Sequence, residues 1–343
     1  MIDAVRRRRT HDDAAPDLLL LADLATDELE QRAIPDDRLL LMFACAHPAI
    51  DHSVRAPLML QTILGFDAAS IASAFLVAPS TMGQRLVRAK TKIKQAAIPF
   101  RLPDADDLPE RLGSVLEAIY AAFTEGWSDA GGTDARRRNL AEEGIWLGRL
   151  VTALLPREAE ALGLLALMLH AQARRAARRD ANGNYVPLVE QDPDAWDRAL
   201  IDEAEALLHR ASALGAIGRY QLEAAVQSAH VVRRLTGKTD WAAIVQLYDA
   251  LAALTGSPVV ALNRSIAVAE IDGAEAGLAA LDALANEPRF ADYQPYWAAR
   301  AGLLERAGRS IDADEAYRRA IGLEADPVVR RFLQTRRDRL AER

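Results

Sequence analysis

The sequence predicts an all-α protein in which a helix-turn-helix domain is followed by a domain of helical repeats. Half of the 343 residues are apolar, which is enough to bury a large core. Alanine, leucine and arginine dominate, runs of β-branched residues are few, and aromatic residues make up only 6%. Apolar side chains recur at helical spacing, and Gly, Pro or Asp separates most of the periodic segments.

The charge is distributed unevenly along the chain. The formal net charge is −7, which argues against a protein that coats nucleic acid. Residues 1–100 contain twelve basic and twelve acidic side chains, whereas residues 102–343 contain 29 basic and 37 acidic ones. The C-terminal part should therefore be repelled by phosphate groups, so any contact with nucleic acid must be local.

Cysteine usage and hydropathy favour a cytoplasmic protein. Cys45 is the single cysteine, so no internal disulfide can form, and a reducing compartment fits. No stretch of about 18 uncharged apolar residues occurs, so we expect no membrane span. The basic run Arg6–Arg9 directly follows the first five residues, so we expect no apolar segment of a secretory signal peptide here.

The N-terminal third begins with short segments ahead of the helix-turn-helix. Residues 1–35 are predicted to contain the end of a helix, the basic run and an acidic linker that carries leucines. A helix capped by Asp36-Asp37 is predicted to reach about Cys45. The next helix is predicted over about 51–64, and Pro57 inside it should mark a late start or a kink.

Residues 67–94 have the spacing of a helix-turn-helix. A short first helix leads to a turn at Val77, and a second helix opens at Pro79, a residue that suits the first helical position. From residue 79 to residue 101 there are six basic side chains and no acidic one. An apolar stripe on the second helix is formed by Met82, Leu86, Ala89 and Ile93.

The polar side of this second helix predicts contact with DNA. A helix that is packed by one face and presents arginine and glutamine on the other meets the requirement for reading a major groove. An ordinary amphipathic helix pair is the alternative, and the one-sided basic density argues against it. We assign the DNA-binding domain to residues 36–98. The predicted contacts to bases or phosphates are Ser80, Thr81, Gln84, Arg85, Arg88 and Lys92.

Prolines and acidic residues over 99–109 predict a linker. Residues 110–343 are predicted to form a series of consecutive helices, which an Asn-Gly turn and a short extended segment interrupt at 180–192. The predicted helices are 110–126, 135–155, 157–178, 193–214, 219–235, 239–254, 258–271, 274–286, 292–307, 310–323 and 327–341.

The last helix pairs have the pattern of tetratricopeptide repeats, whose period is about 34 residues. The pair at 258–285, with Gly273 at its turn, is a degenerate copy of the final pair. Such units bury their faces only by stacking, so an array is expected. The small and large positions of the final pair are Trp297, Ala301, Leu304, Gly308, Ala313, Tyr317 and Ala320.

Motifs of catalysis are absent from the sequence, so we predict no enzyme and no cofactor. There is no glycine-rich phosphate loop, no GxSxG and no HExxH. Cys45 and His47 lack a second ligand pair and make a poor zinc site, so no metal is expected. Four distinctive residues are either a partner or ligand surface or, as we favour, packing features at helix ends. These are Glu125, Trp127, Gln191 and Trp196.

Two segments resemble region 4 of an extracytoplasmic-function (ECF) sigma factor. They are DDRLLLMFACAHPAI at 36–50 and IASAFLVAPSTMGQRLVRAKTKI at 71–93. Later blocks, including EGW at 125–127 and VPLVEQDPDAWDRALI at 186–201, resemble the C-terminal extension of one group of these factors. That group carries a tetratricopeptide-like domain after region 4. One departure is Cys45-Ala46, where the family tends to have two adjacent cysteines.

The resemblance implies recognition of the promoter −35 element and docking on core RNA polymerase. It also implies dependence on the C-terminal extension rather than on a separate anti-sigma protein. We hypothesise that the acidic repeat domain is a regulatory module that touches polymerase, a protein partner or region 4 of its own chain. Two alternatives stay open: a helical-repeat interaction scaffold that binds no DNA, and a ligand-sensing regulator without sigma activity.

The segment at 2–9 resembles only the tail of sigma region 2, the domain that clamps core polymerase and melts the −10 element. Either the start lies at an internal methionine or the chain is a truncated form, and an in-frame region 2 in the DNA upstream would identify the first case. We expect this chain with purified core polymerase to produce no promoter-specific transcript in a run-off assay. A specific transcript would contradict this expectation.

Overall fold

The computed structural model describes residues 36–95, 103–128 and 135–340. Over these ranges the protein is all-α, as the sequence predicted, and they contain no strand beyond an isolated bridge between Arg179 and Tyr185. None of the helices in the described ranges combines the length and apolar character that a bilayer crossing requires.

The chain divides into two compact units. The first unit contains the described residues up to Thr124 together with Trp146–Leu154, and the second contains Glu125–Ile145 and the described residues from Leu155 onward. The division thus falls inside two long helices. Residues 1–35 and residues 99–102 of the predicted linker at 99–109 lie outside the described residues, so the predicted domain bounds stay a prediction.

Short helices capped by aspartate begin the first unit. Asp36 accepts hydrogen bonds from the backbone N–H groups of Arg38 and Leu39, both at 2.9 Å, which confirms the predicted cap. Asp51 and Asp67 cap the next two helices in the same way. The four helices are α1 (Asp37–Cys45), α2 (His52–Thr62), α3 (Ala68–Ala74) and α4 (Pro79–Gln95).

The structure decides between the alternatives for Pro57 only in part. Helix α2 begins at His52 and runs through Pro57, so the late start is excluded, while the kink stays a prediction. Two longer helices follow, α5 (Leu108–Ser128) and α6 (Ala135–Leu154). The first unit includes α5 as far as Thr124 and α6 from Trp146 onward. Arg111 near the start of α5 is buried and donates to the carbonyl oxygen of Phe43 at 3.3 Å, which ties α5 to α1.

The helices of the second unit lie close to the predicted positions. The main departures are two. The predicted helix 157–178 ends at Ala173 and is followed by a separate 3₁₀ turn over Ala176–Arg178. The predicted helix 193–214 begins only at Arg198, after a 3₁₀ turn over Pro193–Ala195. The remaining helices are α7 (Ala159–Ala173), α8 (Arg198–Ala213), α9 (Arg219–Val231), α10 (Arg233–Thr236), α11 (Trp241–Thr255), α12 (Pro258–Asp272), α13 (Ala274–Asp282), α14 (Gln294–Arg306), α15 (Ser310–Leu323) and α16 (Pro327–Asp338).

The predicted turn between α7 and α8 is present. The carboxylate of Asp180 accepts from the backbone N–H groups of Asn182 and Asn184, both at 2.8 Å, and Gly183 adopts φ +79°. Glycine adopts this left-handed backbone conformation without steric cost, which explains the Asn-Gly pair at this point.

Helices α7 and α9 approach each other closely. A Cβ added at Gly163 would lie 2.7 Å from the backbone nitrogen of Gln221. Glu160, which precedes Gly163 by three residues, accepts from the backbone N–H groups of Tyr220 at 2.9 Å and Gln221 at 3.1 Å. Because Gly218 has no side chain with which to cap α9, a carboxylate from α7 supplies the acceptor at the positive end of the helix dipole.

In the final helix pair, α14 and α15, most positions of the predicted repeat pattern are buried. Gly308 adopts φ +74° in the turn between α14 and α15, and the hydroxyl of Tyr317 donates to Glu305 at 2.7 Å. The tetratricopeptide-like arrangement itself stays a prediction. The buried pattern positions are Ala301, Leu304, Ala313, Tyr317 and Ala320.

His170 is a buried neutral imidazole in the core of the second unit. Its side chain is fully buried, and burial, followed by the nearby Arg174 guanidinium, lowers its pKa to about 3. The Glu205 carboxylate lies 3.4 Å from Nε2 but is 42% exposed, so water screens its attraction for a proton. His230 is also mostly buried, and burial lowers its pKa to about 4.

The close approach of α7 and α9 predicts opposite effects of alanine at two glycines. Gly163→Ala should lower the free energy of unfolding by about 1–3 kcal/mol, because the new methyl meets backbone that cannot move aside. The matched control is Gly302→Ala in α14, where a Cβ meets nothing within 4 Å. It should raise the free energy of unfolding by about 0.5–1 kcal/mol. Urea unfolding of the full chain measures both, and equal effects would contradict the packing.

The buried histidines predict a loss of stability in mild acid. The unfolded chain takes up these protons near pH 6.5, whereas the folded chain binds them only near pH 3 to 4. Stability is therefore complete above pH 6.5 and falls as the pH drops, by up to about 1.4 kcal/mol per pH unit for each histidine. Urea unfolding between pH 7 and pH 5 measures this slope.

Replacing His170 by glutamine should make that dependence shallower than the same change at the exposed His209 does. A free energy of unfolding that is equal at pH 7 and pH 5 in the unmodified chain would show that these histidines are not buried as neutral groups.

Candidate nucleic-acid interface

The connection between α3 and α4 is a tight four-residue turn. Helix α3 ends in a Schellman motif, in which the N–H of Leu76 donates to Ser73 at 3.2 Å and that of Val77 donates to Ala72 at 3.0 Å. Leu76 occupies the left-handed position with φ +51°, where glycine is usual. A leucine there costs about 1–2 kcal/mol relative to a right-handed conformation, so the surrounding contacts must enforce this turn.

One face of α4 is packed against the first unit. Met82 and Leu86 are 1% and 2% exposed, while Ala89 and Ile93 are half-buried. Both α2 and α3 contact α4. The predicted apolar stripe is therefore the buried face, and its position determines which side chains of α4 point outward.

The predicted DNA contacts lie on the rest of the α4 surface. Ser80, Gln84, Arg88 and Lys92 are exposed, whereas Thr81 and Arg85 are half-buried at the flank of the helix. The Nε–H of Arg88 donates to the carbonyl of Gln84 at 3.3 Å. Between Pro79 and Gln95 there are five basic side chains and no acidic one.

The first turn of α4 offers backbone donors beside these side chains. Pro79 has no N–H, and Ala78 before it has no side-chain oxygen that could cap the helix. The N–H groups of Ser80 and Thr81 therefore add to the positive end of the helix dipole, an arrangement that suits a phosphate.

Lys92 is close to an acidic group of its own unit. The pKa of Asp51 is lowered, chiefly by hydrogen bonds from Ser53 and to a smaller degree by the charge of Lys92. The Asp51 carboxylate thus offsets part of the Lys92 charge within the unit.

Sequence reasoning gave no role to two residues on this surface. Val87 is 65% exposed, and a Cβ added at Gly83 would meet no atom within 4 Å. The signal that could have drawn attention to Val87 is an apolar residue on the polar side of an otherwise amphipathic helix.

The four residues predicted as a possible partner or ligand surface lie in the second unit and differ in how deeply they are buried. Gln191 and Trp196 are only 7% and 3% exposed, so in this conformation they pack rather than present a surface. Trp127 is half-buried, with its Nε1–H donating to Ala171 at 3.2 Å. Glu125 is also half-buried.

Arginines surround these aromatic residues. The Arg178 guanidinium lies 3.9 Å from the centre of the Trp127 ring, and that of Arg233 lies 5.2 Å from the centre of the Trp196 ring. Arg174 is 8% exposed and donates to the side chain of Gln227 and to a backbone carbonyl. Burial, with the neighbouring arginine charges, lowers its pKa to about 10.

The residues weighed as metal ligands have structural contacts. Burial raises the pKa of the Cys45 thiol to about 12, which leaves it a neutral core side chain. The Nδ1 atom of His47 accepts from the N–H of Ala49 at 3.1 Å. Within the described ranges no group of three or more His, Cys, Asp or Glu side chains could hold a metal ion.

A comparison with known proteins places the chain in a family. It is 39% identical over 346 residues to the uncharacterized protein R00370 of Rhizobium meliloti (strain 1021), and the alignment covers 99% of this chain and 81% of that protein. The chain belongs to the same family as that protein. Residues 111–212 also match a family of unknown function, DUF6596. No solved structure matches the chain. Because the alignment spans nearly the whole chain, it includes residues of both units.

Proposed function

We propose that this protein is a sigma-factor-type regulator of transcription initiation. Helix α4 enters the major groove of a promoter −35 element as the second helix of a helix-turn-helix, and the protein docks on core RNA polymerase in the cytoplasm. The observation that carries the proposal is the asymmetry of α4. Met82 and Leu86 bury one face, while the remaining surface presents Gln84, Arg88 and no carboxylate of its own helix.

Charge favours α4 over the C-terminal helices as the site of this contact. Its basic side chains attract phosphate, whereas residues 102–343 carry eight more acidic than basic side chains and repel it. The C-terminal helical region therefore acts as a regulatory module that binds protein, with tetratricopeptide-like repeats, rather than as a second DNA-binding surface.

A second candidate is a ligand-sensing regulator without sigma activity, and Arg174 favours it. Among the described residues no carboxylate forms an ion pair with this buried arginine, whose described hydrogen-bond acceptors are neutral oxygens. A buried cation without a compensating charge is costly, and an anionic ligand would compensate it. The alternative of a scaffold that binds no DNA has no such observation in its favour.

The proposal predicts that Arg85 and Arg88 are needed for DNA binding. Duplexes are selected from a random pool with the full chain, and their affinities are measured over a series of salt concentrations. The double change Arg85→Ala and Arg88→Ala should weaken binding by tenfold or more, since a bidentate base contact is worth about 1–3 kcal/mol. The slope of log K against log salt should become shallower by about 0.9 for each phosphate that the protein no longer neutralises.

The matched control replaces two exposed arginines near the C-terminus, Arg331→Ala in α16 and Arg339→Ala directly after α16. It lowers the net charge by the same two units as the double change in α4. This control should leave affinity and salt slope almost unchanged. Equal losses of affinity in the two double variants would show that DNA binding depends on total charge rather than on α4. Failure of the unmodified chain to select any duplex would favour the scaffold.

A further inference from the structure

Gly83 and Val87 form a notch on the outward side of α4. They are four residues apart, so they lie next to each other on successive turns of the helix. The Val87 side chain is 65% exposed, and the space where a Gly83 side chain would lie is open. The Gly83–Val87 notch is therefore a gap with one apolar wall on a surface that is otherwise polar and basic.

Folding stability explains neither residue of the notch. Glycine in a helix interior is less favourable than alanine, and the structure has room for the methyl group of an alanine at this position. Valine loses rotamer freedom in a helix, and an exposed valine gains little burial in return. Both choices become favourable if another molecule occupies the notch.

The surroundings of the notch favour duplex DNA as that molecule. Gln84 precedes Val87 by three residues and Thr91 follows it by four, so both border the valine. The Thr91 hydroxyl already donates to the carbonyl of Val87 at 2.9 Å. The helix carries five basic side chains and no acidic one, which is complementary to a phosphate-lined groove.

We infer that the Gly83–Val87 notch receives the 5-methyl group of a thymine in the major groove of the −35 element. Thymine alone presents an apolar group at that edge of the base pair. A cytosine there carries only a hydrogen at C5, so the notch would stay unfilled. The inference rests on the proposed function and adds to it a residue pair that determines sequence preference.

The experiment removes a single methyl group from the DNA. Duplexes are selected from a random pool with the full chain, and each thymine of the selected sequence is replaced in turn by deoxyuridine, which lacks only that methyl. Fluorescence anisotropy at constant salt gives the affinities. At one thymine position the substitution should weaken binding about fourfold, the effect of burying one methyl group.

Two variants then assign that effect to the notch. Val87→Ala removes the apolar wall and should bring the thymine-to-deoxyuridine affinity ratio close to one. Gly83→Ala fills the gap and should also abolish the thymine preference, while it raises the unfolding temperature of the protein because alanine stabilises the helix. The control Lys94→Ala should weaken binding to both duplexes equally and preserve their ratio.

The outcomes separate this inference from the function on which it rests. If the chain binds its selected DNA tightly but no thymine position is sensitive to deoxyuridine, the notch inference is wrong and the proposed function stands. A sensitive thymine that stays sensitive in both variants also overturns the inference. If the chain selects no duplex at all, the proposed function and the inference fall together.

Discussion

The burial of Met82 and Leu86 is the interaction on which the candidate interface depends. Burying one stripe of side chains fixes the rotation of a helix about its axis. Because Met82 and Leu86 pack against other helices of the first unit, Gln84, Val87 and Arg88 face outward. Each buried side chain of this size contributes about 1.5–3 kcal/mol, which holds the orientation firmly. A change that moved the stripe by one residue would turn the cationic side chains toward the core.

The turn before α4 adds the second constraint, the angle between the helices. Leu76 is held in a left-handed conformation by the hydrogen bonds that close α3, and its neighbours Phe75 and Val77 are half-buried. The conformational cost of the turn is therefore offset by tertiary contacts. A turn enforced in this way gives α4 a defined direction, which a helix that enters a groove requires.

The second unit is stabilised by contacts between residues far apart in the chain. The Glu160 carboxylate caps α9 from a position 60 residues earlier than Tyr220, and Gly163 lets the two helices approach. Arg174, directly after α7, is buried and donates to neutral oxygens, and the buried His170 precedes it by four residues. Burial lowers the pKa of His170 in this interior, while residues 102–343 as a whole are acidic.

Local patterns in the sequence determined the helical class, most helix bounds, the Asp36 cap and the apolar stripe of α4, because periodicity and capping act over a few residues. They also placed all six predicted contact residues outside the core. Only the tertiary structure decided that Gln191 and Trp196 are buried, that Glu160 caps a distant helix, and that Val87 and Gly83 face open space. These features depend on which distant segments meet, and a local pattern contains no information about the neighbours that a residue acquires or lacks after folding.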